Sequence, residues 1–356
     1  MFSPPRGRAS SFNPSNRFEQ HHFEPLDIDI PYDEERPPVP TVFYNDTSKS
    51  ILAKNDSPDL DFTYSINPYR GCEHGCIYCY ARPSHEYLGF SAGLDFETKI
   101  MVKMDAAQLL EKKLKSKGWE PQMVAFSGNT DCYQPVERKL QLTRQCLEVF
   151  LNYRNPVGLI TKNALVLRDI DILQEMAKLN LVHVLLSITT LDTELARTME
   201  PRTSSPANRL KAIKELARSN IPVGVNVAPI IPGLTDEEIP AILKTAAEHG
   251  ALSAGYILLR LPGPVEDLFL DWLQRNLPER ANKIINRIKD TRSGEMSDAR
   301  FGSRMKGEGE IARAINSLFK LNARKLDLTG RWSGLSTKHF RREPAASQFE
   351  LFRTYE

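Results

Sequence analysis

Six short, almost continuously apolar runs punctuate this chain, at Phe62–Ile66, Met123–Phe126, Val157–Thr161, Val184–Thr189, Val223–Ile230 and Tyr256–Leu259. A strand with one wet face alternates apolar and polar residues, whereas runs apolar throughout suit parallel strands covered on both faces. Between them lie stretches with apolar residues every three or four positions: Leu140, Leu147, Phe150 and Leu151; Leu210, Ile213, Leu216 and Ala217; Ile239, Ile242, Leu243 and Ala246. The last is opened by a capping-box pattern from Thr235 to Glu238. Strand and helix in alternation predict an α/β fold with right-handed crossovers and a curved parallel sheet, open or partly closed into a barrel. In such folds chemistry gathers at the C-terminal ends of the strands, and that rule filters the candidate residues below.

The 356 residues include 41% apolar and 26% charged side chains, an ordinary globular mixture that excludes collagen-like, disulfide-scaffold and wholly disordered chains. With 47 Lys and Arg against 45 Asp and Glu the formal charge is +2, too balanced for a protein that grips nucleic acid over its whole surface. No run of 18 apolar residues occurs, and the leading MFSPPRGRASSFNPSN lacks an apolar signal core, so a cytoplasmic protein with no membrane partner is expected. Eight of the 24 prolines fall in residues 1–50, which predicts a mobile or extended N-terminal tail over 1–55. His21 and His22 within it read as a polar pair with no ligand cluster around them. A core domain is expected over 56–290, followed by a basic helical extension over 291–356. That extension holds 13 Lys or Arg against 8 Asp or Glu, with one helix from about Glu308 to Ala323.

Three of the five cysteines crowd into Asn67-Pro-Tyr-Arg-Gly-Cys72-Glu-His-Gly-Cys76-Ile-Tyr-Cys79-Tyr80, directly after the first run. A secreted disulfide framework would scatter an even number, so this grouping points to a metal or cluster site in a reducing compartment. A compact loop with Gly71 and Gly75 can bend three thiolates around a cubane iron–sulfur cluster and leave one iron open. The competing account is a tetrahedral zinc site completed by His74, His85 or Cys132, in a zinc-stabilised nucleic-acid-binding module without catalysis. Cys146, on the apolar side of a helix, reads as core.

The spacing C-x3-C-x2-C, with an aromatic residue before its last cysteine, resembles the radical S-adenosylmethionine (SAM) superfamily. The tyrosine-flanked Cys76-Ile-Tyr78-Cys79-Tyr80 is similar to its spore photoproduct lyase-like branch, as is the loop Glu200-Pro-Arg-Thr-Ser-Ser205. The run from the N-terminal tail through Arg82-Pro-Ser-His85 also looks like a bacterial radical SAM protein family. The resemblance spans about Asp61 to Leu261. It implies a partial (β/α)6 TIM-like barrel whose cluster loop follows the first strand. It also implies a 4Fe-4S cluster on Cys72, Cys76 and Cys79, with SAM as the second cofactor on the open iron. A reductant such as flavodoxin or ferredoxin would drive cleavage of SAM to a 5′-deoxyadenosyl radical, which takes hydrogen from a substrate.

The resemblance also assigns roles. Tyr78 would pack on the adenine, with a core aromatic as the plainer account. Tyr80 reads as a hydrogen relay on the substrate side or a rim residue. Asn129, Thr130 and Asp131, at the end of the second strand, offer oxygen acceptors to the SAM amino group, or simply build a turn. Lys162 suits the SAM carboxylate, an ion pair with Asp131 or Glu200 being the competing account. Ser187 would bond a ribose or methionine oxygen, or else cap the helix near Asp192. Asn226, a polar amide inside an apolar strand, needs a partner such as a ribose hydroxyl. The lyase branch places a hydrogen-donating cysteine at the end of the second strand. Aligned on Asn129-Thr130-Asp131, that position falls on Gly128, and Cys132 follows four residues later as the candidate donor. In the basic extension, Arg331-Trp332, His339-Phe340-Arg341-Arg342 and Phe352-Arg353 interleave cations with aromatics, as a nucleic-acid contact or a lid on the barrel mouth.

Overall fold

A computed structural model describes residues 4–18, 39–330 and 334–343. Its strands are β1 (Val42–Asn45), β2 (Leu52–Lys54), β3 (Tyr64–Ile66), β4 (Tyr69–Arg70), β5 (Lys99–Val102), β6 (Val124–Phe126), β7 (Val157–Thr161), β8 (Val182–Ser187), β9 (Val223–Ile230) and β10 (Ser253–Leu258). The main sheet has the order β10-β9-β8-β7-β6-β3-β2. Six of these strands, β3 and β6 to β10, are parallel and follow one another in chain order, in register at Tyr64↔Val124, Val124↔Val157, Val157↔Val182 and Val184↔Val223. They coincide with the six apolar runs within a few residues at each end, and their order is that of a partial (β/α)6 barrel. The antiparallel edge strand β2 and a second sheet, β1-β5-β4, had no such signature, because they are short and β1 is exposed along its whole length.

The helices Leu142–Tyr153, Pro206–Arg218 and Ile239–Glu248 stand where the apolar stripes predicted them, and they bury Leu147, Phe150, Ile213, Leu216, Ile242 and Leu243 against the sheet. Burying each such side chain contributes about 1.5–3 kcal/mol. The capping box does not form. Thr235 makes no cap hydrogen bond, a short 3-10 turn intervenes, and Glu238 instead accepts from Thr190 Oγ1 (2.6 Å) and Leu191 N (2.7 Å). The helix Gly309–Lys325 sets Ala312, Ile315, Phe319 and Ala323 into the same core as the sheet, so this part of the extension is continuous with the barrel.

Residues 4–18, within the stretch expected to be a mobile or extended tail, pack against the core domain. The backbone amides of Ala9 and Ser10 donate to the Glu97 carboxylate at 3.3 and 3.1 Å, Arg8 donates to Glu97 O at 2.7 Å, and Asn16 to Glu86 O at 2.9 Å. The segment is held mainly by hydrogen bonds, with Ala9 and Phe12 adding to a hydrophobic cluster, and so few apolar contacts leave no hydrophobic period. His21 and His22, with Arg331-Trp332 and Phe352-Arg353, lie outside the described residues.

Candidate active site

A cavity of about 510 Å³ opens at the C-terminal ends of the parallel strands. Into its lining the cysteine loop delivers Cys72, Cys76 and Cys79; the loop after β6 delivers Asn129, Thr130 and Asp131; and β7, β8 and β9 deliver Lys162, Ser187 and Asn226. Tyr78 and Tyr80 line it as well. Of the twelve candidate residues only Cys132 is missing.

The cysteine loop is held from several sides. Gly71 and Gly75 sit at φ +80° and +64°, and a Cβ on Gly75 would stand 2.7 Å from Glu97 Oε2. Arg82, wholly buried, donates to the carbonyls of Gly75 (3.1 Å), Cys76 (3.0 Å), Ala92 (3.0 Å) and Gly93 (2.9 Å) and to Glu97 Oε1 (2.6 Å). Those contacts use all five donors of its guanidinium. From the loop after β6, Gln134 receives Glu73 N (2.9 Å) and donates to Gly71 O (3.2 Å). From beneath, Ile77 is buried among Trp272, Phe269 and Leu268 of the helix Val265–Asn276. Apart from the two glycines, none of these supports was singled out from the sequence. Arg82 follows the last cysteine closely enough to be suspected, whereas Glu97 and Gln134 carry no local signal.

The three thiols are free of disulfides, and burial pushes the pKa of each up; Asp131 adds to this at Cys72 and Glu200 at Cys76, while Lys162 opposes it at Cys76. A metal that replaces those protons relieves the conflict. Among the described residues no three His, Cys, Asp or Glu side chains are grouped to hold a single ion. The extra ligands of the zinc account are also engaged elsewhere. His74 lies between Asp131 Oδ2 (3.4 Å) and Asn163 Nδ2 (3.1 Å), His85 Nε2 bonds Lys99 O (2.9 Å), and Cys132 is fully buried in the main core. A cubane, whose thiolates occupy separate corners, fits the donor set better.

The remaining polar groups fall into two kinds. Thr130 Oγ1 donates to Tyr69 O (2.6 Å). Asp131 accepts from Thr161 Oγ1 (2.8 Å), Lys162 N (2.8 Å) and Tyr133 N (2.9 Å). Burial alone would raise the Asp131 pKa, but His74 and the two amides bring it down to about 2. Asp131 is therefore a tie between strand ends, occupied on both oxygens. Asn129 is partly committed, its N–H to Asn67 Oδ1 (3.0 Å) and its Nδ2 to Ser84 Oγ (3.4 Å).

Lys162, Ser187 and Asn226 are different. Among the described residues none of their side chains has a hydrogen-bond or ion-pair partner, although all three line the cavity. The expected alternative of a Lys162 ion pair with Asp131 or Glu200 is not made; Glu200 is taken by Arg209, Thr189 and the Tyr78 hydroxyl. The Lys162 ammonium lies 5.8 Å from the centre of the Tyr78 ring, and burial lowers its pKa, Cys76 opposing. Nor does Ser187 cap a helix, since Asp192 caps Thr193–Met199 with its own carboxylate.

Tyr80 is about half exposed within the cavity, donates to Gly128 O (2.8 Å) and has its pKa pushed up to about 12 by burial and Cys79. Cys132 corrects the sequence expectation. Its backbone N bonds Ser127 Oγ (2.9 Å), its carbonyl receives Thr143 Oγ1 (2.7 Å), and its side chain faces the core instead of the cavity. The left-handed turn at Ser127 (φ 71°) and the Asp131 tie that follows carry the chain off the strand axis before Cys132 is reached.

Phe301, Arg304 and Met305 close the far side of the cavity, where Asp59 receives Gly302 N (2.7 Å) and Arg304 Nε (2.5 Å). This part of the basic extension is a wall of the site. Arg341 and Arg342 lie elsewhere and donate to the carbonyls of Asn152 (2.7 Å) and Trp119 (2.8 Å).

Residues 66–246 match the model of the Radical SAM superfamily. An uncharacterized protein of Mycobacterium tuberculosis is 36% identical over 240 residues, 67% of this chain and 71% of its own. Another, of Methanocaldococcus jannaschii, is 29% identical over 225 residues, 63% of this chain and 80% of its own. Among solved structures, spore photoproduct lyase complexed with dinucleoside spore photoproduct superposes with a TM-score of 0.56 at 16% identity, covering 80% of this chain and 79% of that one. That likeness is one of fold. The chain belongs to the radical SAM superfamily, whose enzymes use a 4Fe-4S cluster and S-adenosylmethionine.

Proposed function

We propose that Cys72, Cys76 and Cys79 hold the 4Fe-4S cluster of this enzyme, and that SAM occupies the adjoining cavity with the substrate beside it. The observation that carries this reading is a convergence on a single cavity: three thiols, two of them buried, meet one cation, one hydroxyl and one amide that have no hydrogen-bond or ion-pair partner among the described residues. Unpaired polar groups at such sites are costly unless a ligand satisfies them. When bound, the pair supplies one-electron cleavage of SAM to methionine and a 5′-deoxyadenosyl radical, which takes a hydrogen atom from the substrate.

The chain's own residues do the rest. Arg82 and Glu97 fix the cysteine loop. Lys162 presents a desolvated cation to the SAM carboxylate, and Ser187 and Asn226 offer a hydroxyl and an amide to its ribose or methionine oxygens. Tyr78, anchored through Glu200, holds the floor against which the adenine packs. Tyr80 stands on the substrate side, while Thr130 and Asp131 set the shape of the wall. The electron comes from a low-potential donor of the flavodoxin or ferredoxin kind. With Gly128 at the position of the lyase branch's donor cysteine and Cys132 in the core, neither position offers a cysteine for the hydrogen-return step of that branch.

Anaerobic reconstitution should give a brown protein with about four irons per chain. Lys162→Met should keep that iron yet weaken SAM binding about 10–100-fold, the loss of one charge-assisted contact. Full SAM affinity in this variant would move the carboxylate site elsewhere.

A further inference from the structure

We propose that Arg260 anchors an oxyanion, a carboxylate or a phosphate, carried by the substrate; the assignment to substrate rests on the reading above. Arg260 lies two residues beyond the end of β10 and lines the cavity with Tyr80, Phe301, Arg304 and Met305. Its guanidinium sits 5.7 Å from the centre of the Tyr80 ring. Among the described residues its one hydrogen bond goes to a soft acceptor, Met305 Sδ at 3.7 Å, and no carboxylate pairs with it.

The fully buried arginines, and Arg304 beside it, are by contrast committed to protein oxygens. Arg82 uses five donors on four carbonyls and Glu97, and Arg209 pairs with Glu200 and donates to Ser187 O and Ser204 O. Arg292 donates to Leu259 O (2.7 Å) and Ser303 O (3.1 Å). Arg304, beside Arg260 in the same wall, is taken by Asp59 and Ser57. The neighbouring acid is thus spent on Arg304, and Arg260 is left with burial and a second cation against it, both of which lower its pKa.

A half-buried guanidinium keeps a planar fork of donors that matches carboxylate or phosphate oxygens two at a time. Among the described residues the cavity therefore holds two cations without an ion-pair partner, Lys162 and Arg260. The SAM carboxylate accounts for the first, and the second is left for another anion. Tyr80, whose ring lies beside the guanidinium, directly follows Cys79, so an anion bound there tethers the substrate beside the cysteine loop.

The test is anaerobic phenylglyoxal modification of the cluster-loaded, SAM-bound protein, with the modified arginines mapped by mass spectrometry. Inorganic phosphate, acetate or chloride is present at about 50 mM, above the millimolar Kd of a small anion on one guanidinium. Arg260 should react faster than Arg304 and Arg292, and one of the two oxyanions should slow it about tenfold where chloride does not. Protection by phosphate alone assigns a phosphorylated substrate, and protection by acetate a carboxylate. Calorimetric binding of the protecting anion should be lost in Arg260→Gln and partly kept in Arg260→Lys. Equal reactivity of Arg260 and Arg304, or no protection by either oxyanion, overturns the proposal. Formation of 5′-deoxyadenosine by the wild-type protein is measured in parallel. If it occurs without protection, the anion anchor alone fails; protection without it leaves the anchor and removes the radical chemistry.

Discussion

Arg82 and Glu97 form an ion pair at 2.6 Å beneath the cysteine loop, both side chains fully buried. Breaking such a pair from one side strands the other charge, at a cost of about 3–5 kcal/mol. Arg82→Met and Glu97→Gln should therefore lower the urea midpoint steeply and leave protein that loses iron to a chelator. Arg82→Lys should not rescue either variant property, since an ammonium has three donors for five acceptors. Wild-type iron retention in Arg82→Met would show that the loop is held without this pair.

Two glycines with nearly the same backbone angle separate strain from crowding. Gly75 (φ +64°) would bring a Cβ 2.7 Å from Glu97 Oε2, whereas Gly89 (φ +75°) has open space around that position. Gly89→Ala should cost only the left-handed penalty, about 1–2 kcal/mol. Gly75→Ala should cost more and also reduce cluster occupancy, because Glu97 must give way. Thermal unfolding with iron analysis of both proteins checks this, and equal losses would contradict the packing given for the loop.

Cys132 is fully buried in the main core, its carbonyl held by Thr143 of the helix Leu142–Tyr153, and it is not among the residues that line the cavity. Cys132→Ala should destabilise the fold by about 1 kcal/mol. It should leave 5′-deoxyadenosine formation within about twofold of wild type. A loss of product turnover with SAM cleavage intact would return Cys132 to the chemistry.

The six parallel strands were legible because burial on both faces imposes an unbroken apolar run, and the main helices because each carries one apolar stripe. The cysteine loop was legible for a chemical reason, since three thiols in eight residues have few other uses. Its supports were not. Glu97 and Gln134 reach the loop through contacts 15 or more residues away, and no local spacing encodes them. The packed segment over residues 4–18 escaped because hydrogen bonds to Glu97 and Glu86 leave no period in its letters. The polar candidates differ in their three-dimensional partners, which no local spacing encodes. Asp131 and Lys162 look equally suited to a ligand in sequence, yet the carboxylate is saturated by protein donors while, among the described residues, the ammonium meets no protein acceptor.

The most direct measurement is the amount of 5′-deoxyadenosine formed from SAM under dithionite by anaerobically reconstituted protein, set beside its iron content and beside Cys76→Ala. The account predicts product from the wild-type protein, carrying about four irons per chain, and none from the variant. Wild-type protein with a full iron complement that leaves SAM intact, or a variant that still cleaves it, would contradict the assignment of the three cysteines.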